Sequence, residues 1–275
     1  MPAEVVAVER GVQILVADSA TSLGAAAEGA VCVTGSHGGT TGVLFALAAG
    51  ANAAVFNDAG VGKNDAGVRG LGIADEYNMA AVAVDHRSAR IGDGRDTYAN
   101  GSISRCNRSA LSAGARPGMT VAEATVLLAR WRPTGPVPRP VSPRERAPVV
   151  FRDTEPRIIG LDSASSIDAT LVGAVVLTGS HGGVVNGLAV RASVAAAFFN
   201  DAGFGKDDAG ASRLPLLDAL GIPGGTVDCF SAEIGSGLET YADGRLSRVN
   251  ACASSIGWSV GQAARSAAHA LRGAA

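Results

Sequence analysis

Six consecutive residues, Thr34-Gly35-Ser36-His37-Gly38-Gly39, return unchanged as Thr178-Gly179-Ser180-His181-Gly182-Gly183. Each copy directly follows an apolar run, Ala30-Val31-Cys32-Val33 in one case and Ala174-Val175-Val176-Leu177 in the other. A second motif follows each copy. Asn57-Asp58-Ala59-Gly60-Val61-Gly62-Lys63-Asn64-Asp65-Ala66-Gly67 matches residues 200–210, with differences only at Val61/Phe204 and Asn64/Asp207. Position 37 pairs with 181 at a separation of 144, and position 63 pairs with 206 at 143. So constant a register requires one supersecondary pattern laid down twice.

The surrounding pattern identifies the repeated unit. Residues 12–18, 30–33, 53–56 and 80–84 are short apolar runs bounded by turn residues, as expected of buried strands. Helix-compatible stretches at 41–49 and 68–77 separate them. The first half closes with a helix at 120–130, where Thr120 and Glu123 form a capping box; a helix at 260–271 closes the second. Asn100-Gly101 and Asp243-Gly244 predict type I′ hairpins over 97–104 and 240–247. The expected fold is α/β: internally duplicated βαβ units with mainly parallel sheets, the two halves related by a pseudo-twofold axis. The first repeat is read as 1–130 and the second as 158–275. Between them lies a proline-rich connector at 131–157, containing Pro133, Pro136, Pro138, Pro140, Pro143, Pro148 and Pro156.

Composition excludes several classes. A net charge of -2 with 17% charged residues leaves no basic footprint for nucleic acid. No apolar run approaches the ~18–20 residues that span a bilayer, so no membrane partner is expected. The N-terminus lacks the order of a signal peptide. Cys32, Cys106, Cys229 and Cys252 neither recur at equivalent positions nor form a CxxC, which points to reduced thiols and a cytoplasmic location. Of the 23 basic residues, only Lys63 and Lys206 are lysine. Both stand in the repeated motif, where a compact titratable amine has uses that arginine lacks.

The repeated loops all fall beyond the carboxyl ends of the expected strands, where parallel sheets gather their ligands. Ser36 and Ser180 are candidate nucleophiles, and Lys63 and Lys206 candidate bases. His37 and His181 are candidate oxyanion donors. Gly38, Gly39, Gly182 and Gly183 would let the backbone approach a ligand. Asn57, Asp58, Asp65, Ser88, Arg90, Asn200, Asp201, Asp208, Ser231 and Glu233 complete the expected substrate-binding set. The phosphate-loop motif fails, because Asn57 stands at its first glycine and Asn64 at its hydroxyl position. No metal site or cofactor is expected; the alternative is a divalent ion on Asp58, Asp65, Asp85 and His37.

The halves diverge beside these loops. His86 is matched by Cys229, Arg90 by Glu233 and Asp93 by Ser236. That pattern suits one asymmetric site shared at the pseudo-twofold interface, with Arg90 facing an anionic group of the substrate. The duplicated serine and lysine loosely resemble ring-opening amidohydrolases of the cyanuric acid hydrolase type. That family has three repeats, and here serine precedes lysine, so the likeness concerns mechanism. The resulting expectation is a hydrolase acting on an amide-like or lactone-like bond in a small anionic molecule, working as a homo-oligomer. A lyase or isomerase with a lysine base or imine, and a non-catalytic small-anion-binding protein, are the alternatives.

Overall fold

The all-apolar runs become central strands because both of their faces are covered, which removes any need for polar alternation. The computed structural model describes residues 3–132 and 146–271. They divide into two units. Unit 1 comprises 3–61, 65–132 and the tripeptide 205–207; unit 2 comprises 62–64, 146–204 and 208–271. Each unit therefore includes three residues from the other half of the sequence.

Unit 1 holds a six-stranded sheet in the sequential order β1 (Glu4–Glu9), β2 (Val12–Ala17), β3 (Val31–His37), β4 (Ala53–Asn57), β5 (Ala80–Val84) and β6 (Ile103–Cys106). β2 through β5 run parallel, and the two edges are antiparallel. Helices α1 (Thr40–Ala48) and α2 (Gly70–Glu76) cover one face, where Val43, Ala46, Leu71 and Ala74 pack on Leu15, Cys32, Ala54 and Phe56. The other face meets α3 (Gly94–Asn100), α4 (Arg108–Ser112) and α5 (Val121–Leu128). There Val121, Ala124 and Leu128 bury Ile14, Val16, Val33 and Val55. The alternation along each strand thus fills two separate cores. His37, Asn57 and Val84 stand side by side in the register, so residues that follow β3, β4 and β5 leave the sheet at one edge.

Unit 2 repeats the sheet as β7 (Val149–Arg152), β8 (Ile158–Leu161), β9 (Val175–His181), β10 (Ala196–Asn200), β11 (Gly224–Val227) and β12 (Leu246–Val249). Again the central strands are parallel and the edges antiparallel. Its helices are α6 (Arg213–Ala219), α7 (Gly237–Ala242), α8 (Ala251–Ser255) and α9 (Ala264–Ala270). The duplicated, mainly parallel α/β design is therefore present in both halves.

Three local expectations change. The hairpins expected at 97–104 and 240–247 are the helix–strand pairs α3–β6 and α7–β12. Asp93 and Ser236 act as N-caps, accepting from the Asp96 and Glu239 backbone N–H groups. Gly101 has φ -63, so it is not the left-handed residue of a type I′ turn; a Cβ there would lie 2.5 Å from the Thr97 oxygen. The segment taken as connector contains β7, which pairs with β8 as β1 pairs with β2. The second sheet thus begins inside 131–157, while residues 133–145 lie outside the described residues. Finally, α1 has no counterpart in unit 2, where residues 184–189 form turns with a single Val185–Leu188 bridge. Among the described residues, no helix is long and apolar enough to cross a membrane.

Candidate functional site

Gly35, Ser36 and His37 form the end of β3, and Gly38 and Gly39 lead from it into α1. Ser36 Oγ accepts from the Ala20 N–H at 2.9 Å, and Ser180 Oγ accepts from Ala164 at 2.8 Å. Each serine therefore ties down the 3-10 turn that follows the preceding strand. Among the described residues, no hydrogen bond joins either serine to a histidine or a lysine. Gly35, Gly38, Gly39 and Gly182 are close-packed positions. A Cβ on Gly35 would lie 2.4 Å from the Asp93 nitrogen, one on Gly39 2.5 Å from the Ala66 oxygen, and one on Gly182 2.3 Å from the Gly210 oxygen. Gly38 faces the Leu71 side chain and the Gly67 oxygen in the same way.

His37 Nδ1 accepts from the Gly39 N–H at 3.1 Å, and His181 Nδ1 accepts from Gly183 at 3.1 Å. A backbone N–H can only donate, so Nδ1 of these rings carries no proton when they are neutral, and Nε2 carries it. Burial pushes the His37 imidazole down to about 4. At neutral pH, His37 is thus an uncharged hydrogen-bond donor through Nε2. That is the state suited to polarising a carbonyl oxygen.

The motif after β4 is a left-handed turn. Ala59, Gly60, Val61 and Gly62 have φ of 50, 71, 64 and 70, and Asn64 and Asp65 follow at 54 and 56. The second copy repeats this from Ala202 to Asp208. A β-branched residue in this region is strained, and so is a run of left-handed residues. The turn is held by Asn57, whose side chain donates to the Ala89 oxygen and accepts from Ala59; Asn200 does the same with Ala232 and Ala202. Asn57 and Asn200 are therefore scaffold, not substrate ligands.

Lys63 belongs to unit 2. Its ammonium donates to Glu239 at 2.6 Å and to Asp243 at 2.7 Å. These hydrogen bonds, Asp243 foremost, hold its pKa above the usual 10.5. In unit 1, Lys206 donates to Asp96 at 2.7 Å, and its backbone N–H reaches the His86 oxygen at 2.8 Å. The expected base is therefore a charged anchor in this geometry, since a general base must shed its proton near working pH. Arg90 is likewise spoken for: it pairs with Asp207 at 2.9 Å, Asp96 at 3.2 Å and Asp93 at 3.7 Å. Its charge is balanced within unit 1 by these carboxylates. Glu233 accepts from Asn64 at 2.8 Å and Asp208 pairs with Arg248 at 3.0 Å, while the Asp65 carbonyl accepts from Val68 and Arg69. Ser88 and Ser231 brace the turns after β5 and β11 through the Asp85 and Asp228 carbonyls.

A pairing of one expected residue, Asp58, with one outside the expected set, His86, stands out instead. Asp58, 4% exposed at the end of β4, accepts at Oδ1 from the Gly60 N–H, the His86 N–H and His86 Nδ1, the last at 2.9 Å. Its Oδ2 accepts from Ser104 Oγ at 2.8 Å. With the carboxylate fixed by three other donors, the imidazole is oriented, and Nδ1 bears the proton. In the neutral ring this leaves the lone pair on Nε2, on a side chain 19% exposed; Asp85 Oδ1 also lies 3.4 Å from Nδ1. The sequence signal for His86 was its replacement by Cys229, one of several differences between residues 85–94 and 228–237. A divalent ion on Asp58, Asp65, Asp85 and His37 finds no such grouping among the described residues; Asp58, Asp85 and His86 cluster instead, as do Asp201, Asp228 and Cys229. In the first of these clusters Asp58 Oδ1 already accepts three donors and Oδ2 one. Comparison with protein-family models, curated proteins and solved structures finds no match to this chain.

Proposed function

We propose that the protein is a hydrolase for an amide-like or lactone-like bond in a small molecule, with the Asp58–His86 pair as its general base. The observation that carries this reading is the 2.9 Å contact between His86 Nδ1 and the buried, fully braced Asp58 carboxylate. Orienting an imidazole through Nδ1 leaves Nε2 to take a proton from a water that attacks the carbonyl carbon; Nε2 then returns the proton to the leaving nitrogen or oxygen as the C–N or C–O bond breaks. The opposite tautomer of His37 supplies an N–H donor for the developing oxyanion. Ser36 enters as a loop-fixing residue and Lys63 as an ion-pair anchor, which replaces the serine–lysine assignment with water activation.

The test is a screen of the full chain against small cyclic amides and lactones, run in water enriched in heavy oxygen. Incorporation of one solvent oxygen into the product, with a rate loss of ~10²–10⁴ in both His86→Gln and Asp58→Asn, is the expected result. Exchange of solvent deuterium at a carbon of the substrate, without oxygen incorporation, would transfer the same base to a lyase or isomerase. Turnover that survives both substitutions would remove the dyad from the mechanism.

A further inference from the structure

Arg213 opens α6 in unit 2 and is 8% exposed. Its Nε donates to the Gly183 oxygen at 2.8 Å and its Nη1 to the Ala189 oxygen at 2.9 Å, and the guanidinium lies 4.9 Å over the Phe199 ring. Among the described residues, no carboxylate pairs with it, and no hydrogen bond engages Nη2. The charge that acts on it is another cation, the exposed Arg191. Burial and Arg191 push Arg213 down to about 10, so it remains charged at neutral pH.

A buried charge without a counter-charge is costly, and carbonyl oxygens offset only part of that cost. The position is also one where the two halves part. Arg213 corresponds to Gly70, since both backbone N–H groups bond the matching loop carbonyl, of Gly182 and Gly38 respectively. A Cβ on Gly70 would strike Val43 of α1 at 2.7 Å, as well as the Gly38 and Gly39 oxygens. Unit 2 has turns where unit 1 has α1, with Asn186, Gly187 and Leu188 exposed at their tip. Where Gly70 lies against α1 in unit 1, the corresponding residue of unit 2 carries a guanidinium bonded to the Gly183 and Ala189 oxygens.

We propose that unit 2 binds a small oxyanion, a carboxylate or phosphate group, on the open Nη edge of Arg213, with Arg191 as the second cation and the 184–189 turn as its cover. The planar fork of a guanidinium matches the two oxygens of either group, and the missing counter-charge is what such an anion would supply. This site is separate from the Asp58–His86 pair and stands whether or not that pair is catalytic.

Calorimetric titration of the full chain with oxalate and with inorganic phosphate, against chloride as control, tests the proposal. Saturable binding of oxalate or phosphate is expected, with a rise in Tm of roughly 3–8 °C near saturation. Arg213→Met should abolish both signals, and Arg213→Lys should weaken binding by losing the fork. Arg191→Ala, at an exposed position, should weaken it about tenfold. If Arg213→Met fails to fold, the Lys and Arg191 variants decide alone. Equal Tm rises in the wild type and in Arg191→Ala or Arg213→Lys would mark a general salt effect and overturn the proposal. So would the absence of any binding beyond chloride, which would leave Arg213 as a staple between carbonyls.

Discussion

The ends of β4 and β10 carry the same aspartate cradle with different occupants. Asp58 Oδ1 accepts from the backbone N–H groups of Gly60 and His86; Asp201 Oδ1 accepts from those of Gly203 and Cys229, at 2.9 and 3.0 Å. In both halves, then, the buried aspartate first serves to staple the left-handed turn to the loop after the next strand. Only in unit 1 does an imidazole add itself to that carboxylate. In unit 2, burial foremost raises the Asp201 carboxyl, and burial together with Asp201 pushes the Cys229 thiol up to about 12. A thiol held protonated is no nucleophile. The comparison separates scaffold from chemistry: what the halves share builds the turn, and what differs is where a reaction can be sought.

The largest effect should come from making the first half resemble the second. His86→Cys keeps the backbone donor to Asp58 and removes the ring. Activity of the proposed hydrolase should drop ~10²–10⁴-fold, with Tm within a few degrees of the wild type. Cys229→Ala, the reciprocal control, should leave turnover unchanged. Loss of activity on altering Cys229 but not His86 would reverse the assignment of the working half.

A second effect concerns His37, whose ring is held below its usual 6.5, at about 4. Between these values the unfolded chain binds a proton that the folded chain refuses. Stability should therefore fall as pH drops from 6.5 toward 4 and stop falling through this group below that, by on the order of 2 kcal/mol given the ring's partial exposure. His37→Asn retains an acceptor for the Gly39 N–H. The urea midpoint of this variant should lose that part of the slope, and an unchanged slope would mean that His37 titrates normally.

Much of this frame was legible because burial on two faces leaves an unmistakable mark. Ala80–Val84 is apolar throughout and emerges as β5 with the expected bounds. Thr120 and Glu123 satisfy each other's backbone groups locally, so their capping box needed no tertiary context. Edge strands β1 and β7 were missed, since one exposed face admits polar residues and a neighbouring proline-rich stretch obscured the second. Asn100-Gly101 carries a strong turn signal, yet Asp93 caps a helix that ends there, and tertiary crowding rather than positive φ explains the glycine. The site was harder. Asp58 and His86 are remote in sequence and meet only because β4 and β5 are in register, with Asn57 opposite Val84. The lysines drew attention by rarity, but rarity does not distinguish a base from an anchor; the carboxylates around Lys63 do.

That distinction yields a smaller prediction. Lys63→Met would leave Glu239 and Asp243 without their shared cation and should cost about 1 kcal/mol at neutral pH, in the range of partly exposed pairs. Lys63→Arg should recover most of the stability and, if His86 is the base, all of the activity. Because the Lys63 pKa is raised, its contribution is complete below about 10.5 and fades only as pH climbs through the higher folded value. A Lys63→Arg enzyme as inactive as Lys63→Met would return lysine to the chemistry.

A last prediction tests the strained turn itself, at Val61/Phe204, one of the two positions where its copies differ. Val61 has φ 64 and Phe204 has φ 59, so both occupy a region that a side chain makes unfavourable. Glycine at either place would relieve that strain, while adding freedom to the unfolded chain that costs ~0.4–1 kcal/mol. Val61 belongs to no packed core among the described residues, so the two terms should nearly cancel, with relief winning by a few tenths of a kcal/mol. Phe204 packs against the unit 2 core that holds Phe199 and Leu217, and lies 4.3 Å beneath the Arg248 guanidinium. Phe204→Gly forfeits those contacts and should be destabilising by about 1–2 kcal/mol despite the same backbone relief. Urea denaturation of the two variants measures the difference directly. Equal losses at both positions would mean that the left-handed turn is not strained, and that its geometry is what these residues adopt at no cost.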